Sequence, residues 1–186
     1  TWARKQGYLP RNVQHEAELT ERAKEEAPEI GIIDAATYSS LLELIQQRHP
    51  RYLAALVLAG FCGMRRVEVH GQLWSDISLD RKILRVSTAK DGTPQKRLVA
   101  LCGPAIEWLL LCPDRKGEVC PGITMVLDRI RFMGKKNGLE LPANCFRHSY
   151  ISCRVAATGE VDRTALEVGT SAKMIHKHYR ELVTEE

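Results

Sequence analysis

Apolar positions change period twice along the chain. Behind Asp34, a fair helix N-cap, Leu41, Leu42, Leu44 and Ile45 recur at helical spacing and predict a helix over Ala35 to Arg48. Pro50 restarts the chain, and Arg51 to Cys62 is almost uninterruptedly apolar, which predicts a central helix buried on all sides. A short helix from Arg65 to about Gly71 follows. The period then drops towards two. Leu73 to Leu79, Ile83 to Ser87 and Arg97 to Leu101 read as short strands, joined by turns at Asp80-Arg81-Lys82 and Asp91-Gly92-Thr93-Pro94. Helical spacing returns in Ala105 to Leu111, opened by Pro104, and in Ile123 to Lys136, Asn144 to Ala157, Arg163 to Val168 and Ala172 to Tyr179, with Gly159 and Gly169 fitting two helix ends. The expected fold class is α+β: a mostly helical domain with a small three-stranded antiparallel sheet.

Residues 1–30 have a different character. Trp2 to Pro10 is basic and bears aromatic residues, Asn12 to Ala27 fits either a short charged helix or an extended segment, and Pro28 and Gly31 break the chain. We read 1–30 as a linker and 31–186 as one compact domain. The opening Thr-Trp-Ala-Arg-Lys-Gln has no signal-peptide pattern and reads as a cut inside a longer protein.

Composition narrows the class further. Hydrophobic residues make up 44% and charged residues 27% of 186, and no apolar stretch approaches the ~20 residues of a membrane span. The net charge of +4 favours a nucleic-acid partner only weakly. Between Asn144 and Tyr179, Arg147, Arg154, Arg163, Lys173 and Lys177 suggest either a basic face or an ordinary solvated one. The six cysteines form no CxxC pair, so zinc ligation and a disulfide framework are disfavoured, and the expectation is buried free thiols in a reducing cytoplasm.

Candidate chemistry rests on scattered residues. Arg65 lies in Gly63-Met64-Arg65-Arg66-Val67-Glu68, Arg147 in Asn144-Cys145-Phe146-Arg147-His148-Ser149-Tyr150, and Tyr179 in His176-Lys177-His178-Tyr179-Arg180. A phosphodiester is cleaved without metal when a nucleophile attacks in line, fixed positive donors hold the non-bridging oxygens, and an acid and a base move the protons. Arginine suits the clamp because its planar fork holds two oxygens and stays charged. Tyrosine suits the attack because a covalent phosphotyrosine preserves bond energy for religation. There is no Gly-rich phosphate loop and no carboxylate cluster, so no metal, cofactor or small-molecule ligand is expected. Taken singly, each residue reads more simply: a packed tyrosine, a solvated arginine pair, a surface lysine. Only the joint arrangement favours chemistry.

The order and spacing of these segments resemble the tyrosine recombinase (phage integrase) family over roughly residues 31–182. Gly63 to Glu68, trailed by Leu73-Trp74-Ser75-Asp76-Ile77, is similar to its first box; Asn144 to Tyr150 to its His-x-x-Arg box; Val168-Gly169-Thr170-Ser171, with Tyr179 nine residues after Thr170, to its closing Leu-Gly-His-Ser and nucleophile. The resemblance implies that Arg65 and Arg147 clamp the scissile phosphate and that Tyr179 attacks it to form a 3′-phosphotyrosine. It also implies that Lys90 protonates the 5′-oxygen and that Glu68 supports Arg65 as an i,i+3 partner. It further implies double-stranded DNA as the partner, tetramers of the protein on DNA, and a separate N-terminal DNA-binding domain.

Two positions depart from the pattern. Asn144 and Thr170 stand where the family carries histidines. Asparagine can donate to a phosphate oxygen but cannot shuttle a proton, and losing a general acid or base costs about 10²–10⁴-fold in rate. His176, one turn before Tyr179, is a possible substitute, with an ordinary partly exposed histidine the simpler reading. His148 reads first as a hydrogen-bonded core residue. The two functional expectations are a working recombinase with weakened proton transfer and a DNA-binding module of the same fold that has lost catalysis.

Overall fold

The computed structural model describes residues 6–8, 10, 30–90, 93–122 and 125–179, without the side chains of 88–90, 93–95, 178 and 179. Most of the expected linker therefore lies outside the described residues. Helix α1 spans Ala35–Arg48, and the Asp34 carboxylate accepts the Thr37 N–H at 2.6 Å, as its cap position predicts. A 3₁₀ turn at Pro50–Tyr52 leads into α2, Leu53–Phe61. Every residue of α2 from Leu53 to Ala59 is buried, and the helix packs against α1 and four helices that follow: α3 (Arg66–His70), α4 (Gly103–Leu110), α5 (Val126–Lys136) and α6 (Cys145–Thr158). A helix that is apolar all round has to sit at the centre, because each exposed leucine or valine would forgo about 1.5–3 kcal/mol of burial.

The sheet has the order β1–β2–β3, both pairs antiparallel, with β1 at Ile77–Ser78, β2 at Ile83–Lys90 and β3 at Thr93–Ala100. It differs from the sequence expectation in two ways. The alternation of Leu73 to Leu79 yields only a two-residue strand, because Trp74–Asp76 closes into a 3₁₀ turn with Trp74 buried. The hairpin is longer than expected: β2 runs beyond Ser87 to Lys90, which pairs with Thr93, and Thr93 and Pro94, expected in the turn, belong to β3. Pro94 is tolerated because β3 is an edge strand.

A second, smaller core forms at the end of the chain. Ile151 and Val155 of α6 pack with Ala165 and Val168 of α7 (Val161–Val168) and Ile175 of α8 (Ala172–Tyr179). Gly159 and Gly169 close α6 and α7 in the left-handed conformation, as expected at those positions. Cys62, Cys112, Cys120 and Cys145 are buried and free, whereas Cys102 and Cys153 are exposed, which corrects the expectation of uniformly buried thiols. Burial raises the pKa of Cys120 and Cys145 to about 11, leaving them inert thiols. No helix among the described residues is long and apolar enough to cross a membrane.

Candidate active site

The site is built around the C-terminal turn of α7. A helix leaves its last carbonyls without intrahelical partners and its C-terminus carries partial negative charge, so cations are favoured there. Three successive carbonyls of this turn each accept an arginine. Arg97 Nε donates to the Glu167 carbonyl at 2.7 Å, Arg147 Nη2 donates to that of Val168 at 2.8 Å, and Arg65 Nη2 donates to that of Gly169. Arg147 Nη1 also donates to the Gly63 carbonyl. Two arginines far apart in sequence are thus brought to one place by α3 and α6 converging on α7.

Gly169 makes this approach possible. Its φ of +66° is the left-handed region, and a Cβ there would lie 3.1 Å from Arg97 Nη1 and 3.2 Å from Arg65 Nη1. The turn is capped as a Schellman motif, with the Thr170 N–H bonded to the Ala165 carbonyl at 2.9 Å and the Gly169 N–H to that of Leu166 at 3.2 Å. Thr170 is half-buried and follows the carbonyl that holds Arg65.

Beneath Arg65 lies Glu68, whose side chain is fully buried. It accepts the Arg65 backbone N–H at 2.7 Å and Arg65 Nη1 at 2.9 Å, the i,i+3 support expected from the sequence. Arg97 forks onto the same carboxylate, Nη1 to Oε1 at 2.8 Å and Nη2 to Oε2 at 2.7 Å. Burial works to raise the Glu68 pKa, but the hydrogen bonds from Arg97 and Arg65 outweigh it and hold the carboxyl below the usual glutamate range.

Arg65, Asn144 and Arg147 line one cleft of about 590 Å³ together with Arg66, Arg131 and His148. Four arginines face one acid there, Asp128, which pairs with Arg66 at 3.0 Å and Arg131 at 3.6 Å. The lining of the cleft therefore carries a net positive charge, a surrounding that favours an anion. Asn144 is exposed at its edge with φ +54°, a conformation that Asn and His adopt more readily than most residues, so either residue suits the backbone here. His148 is half-buried on the cleft wall, not in the core as first expected. Ser149 faces away from this chemistry, its hydroxyl accepting the Ile33 N–H at 2.8 Å.

The backbones of Lys90 and Tyr179 end β2 and α8, while both side chains lie outside the described residues. His176 is exposed. The proposed basic face is partly consumed by ion pairs: Arg154 forks onto Glu167 at 2.9 and 2.8 Å, and Arg163 reaches Glu160 and Glu167, leaving Lys173 and Lys177 exposed. The sequence reading missed Arg97, Arg66 and Arg131. A basic residue at an inward position of a strand was the available signal for Arg97.

This arrangement of helices, hairpin and late helix matches known structures. The chain superposes on XerA recombinase with a TM-score of 0.65 at 18% identity, covering 91% of this chain and 63% of that one. It superposes on the lambda integrase of a tetramer bound to a Holliday junction with a TM-score of 0.68 at 16% identity, covering 99% and 57%. The chain has the tyrosine recombinase catalytic-domain fold. An integrase from mycobacterium phage Brujita is similar too, with a TM-score of 0.58, 17% identity and coverage of 98% and 64%. The chain thus spans roughly three fifths of the length of these recombinases. No protein-family model and no curated protein sequence matches it.

Proposed function

We propose that residues 31–186 are the catalytic domain of a site-specific DNA recombinase or integrase, which cleaves and rejoins double-stranded DNA through a 3′-phosphotyrosine at Tyr179. The observation that carries this reading is the convergence of Arg65 and Arg147 on neighbouring carbonyls of the α7 turn, beside a cleft of four arginines. In this reading the scissile phosphate enters the cleft and the two guanidinium groups hold its non-bridging oxygens, exchanging carbonyl dipoles for a full negative charge. Tyr179 reaches the phosphorus from the end of α8, Lys90 protonates the 5′-oxygen from the hairpin, and Asn144 donates a hydrogen bond without moving a proton. Thr170 contributes through the turn it closes. The protein acts on DNA in the cytoplasm with a second DNA-clamping domain, and it assembles as a tetramer, as the lambda integrase tetramer bound to a Holliday junction suggests by likeness.

The second reading is a DNA-binding module that no longer cuts. It is favoured by Asn144, which sits at the cleft with no capacity for proton transfer. A nicked duplex that traps the cleaved strand separates the two in the full-length protein. A covalent adduct on cognate DNA, absent in Tyr179→Phe, supports the recombinase. Tight binding with no adduct on any cognate site establishes the module.

A further inference from the structure

Arg97 lies outside the cleft yet bonds both the carboxylate and the turn that hold Arg65. Its side chain is only 13% exposed, and it is not among the cleft's lining residues. Its planar fork engages both oxygens of Glu68 while Nε holds the Glu167 carbonyl. Glu68 in turn holds Arg65 by side chain and backbone. One side chain therefore ties β3 and its hairpin, the Arg65 guanidinium, and the turn that leads into α8.

The charge balance is also informative. Glu68 alone against Arg65 would be a neutral pair with little pull on phosphate. Two guanidinium groups on one carboxylate leave a net positive charge, so Arg65 stays oriented by the carboxylate while the cluster still attracts an anion. A lysine in place of Arg97 would keep the charge, but a single ammonium cannot reproduce a fork that reaches two carboxylate oxygens and a carbonyl.

We propose that Arg97 is a positioning residue of this site, setting Arg65 through Glu68 and fixing the α7 turn ahead of Tyr179. The inference rests on the recombinase reading for its effect on rate, but the ordering of Arg65 can be measured without chemistry.

The test compares Arg97→Lys and Arg97→Met with the wild type in the full-length protein. Because misplacing a reacting group by about 1 Å can cost about 10²-fold, we expect Arg97→Lys to slow single-turnover cleavage of a nicked duplex by at least about 10-fold. Its melting temperature should stay above the assay temperature and its DNA Kd within about threefold, since Arg97 is largely buried and outside the cleft lining. The Nε–Hε order parameter of Arg65, measured by ¹⁵N relaxation without DNA, should fall in both variants. Wild-type cleavage by the folded Arg97→Lys protein overturns the proposal. So does a loss of rate that only follows a loss of folded protein, or an unchanged Arg65 order parameter. If the wild type itself forms no adduct, the recombinase reading fails, and the Arg65 order parameter alone decides whether Arg97 positions it.

Discussion

Replacing Glu68 with glutamine should destabilise the domain strongly, although the volume barely changes. The carboxylate is fully buried and accepts four hydrogen bonds, two from Arg97 and two from Arg65. Removing its charge strands the Arg97 guanidinium, which is only 13% exposed. Deleting one partner of a buried pair costs about 3–5 kcal/mol. Arg65, at 40% exposure, adds little because solvent screens it. The glutamine oxygen still accepts a hydrogen bond, so the lower end, about 3 kcal/mol, is expected. That is a fifth or more of a typical stability of about 5–15 kcal/mol, and corresponds to a fall in Tm of roughly 6–12 °C. Urea titration should show a lower midpoint with an unchanged slope. The effect also has a pH signature. The Glu68 pKa is depressed by folding, so its contribution is present above the usual glutamate value of about 4.5 and is lost as pH falls through the lower folded value. The gap between wild type and Glu68→Gln should therefore be full at pH 7 and narrow below pH 4.5. A gap under about 1 kcal/mol at pH 7, or one that widens on acidification, would refute the reasoning.

Three further outcomes follow from the site. Asn144→His should accelerate single-turnover cleavage, by up to about 10²-fold, because the left-handed backbone there accommodates histidine and a proton-transfer group is restored; an unchanged or slower rate counts against the assigned role. Gly63→Ala should destabilise by about 2 kcal/mol or more in a thermal melt, since the residue has φ +59° and a Cβ would lie 2.5 Å from Tyr150 Cδ1; a neutral result would mean that this ring is free to move. DNA affinity should fall steeply with salt, and Arg131→Ala should reduce the slope of log K against log[salt] by about one unit if Arg131 contacts a phosphate; an unchanged slope removes it from the interface.

Much of the fold could be read from local signals. Asp34 marks the start of α1 because capping is a property of four adjacent residues, and α8 starts at the expected Ala172 behind Ser171, whose hydroxyl accepts the Met174 N–H at 3.3 Å. The all-apolar α2 announced its central place by composition alone. The misreading at Leu73 to Leu79 arose because a 3₁₀ turn that buries Trp74 yields the same alternation as a strand. In the site, the i,i+3 pair of Arg65 and Glu68 was legible because both partners share one helix turn. Arg97 was not, because its partners are a carboxylate on α3 and a backbone carbonyl on α7, and a carbonyl leaves no mark in a sequence. The pairing of Arg154 with Glu167 was hidden likewise, which made the last helices look more basic than they are.

The central claim is that two arginines anchored on the α7 turn hold a DNA phosphate for attack by Tyr179. It is tested most directly by trapping the full-length protein on a nicked cognate duplex, digesting the complex, and locating the attached nucleotide by mass spectrometry. The account predicts a nucleotide linked through its 3′-phosphate to the peptide that contains Tyr179, with yield falling steeply in Arg65→Ala and Arg147→Ala. A nucleotide attached to any other residue, or a Tyr179 adduct whose yield is indifferent to both arginines, would contradict it.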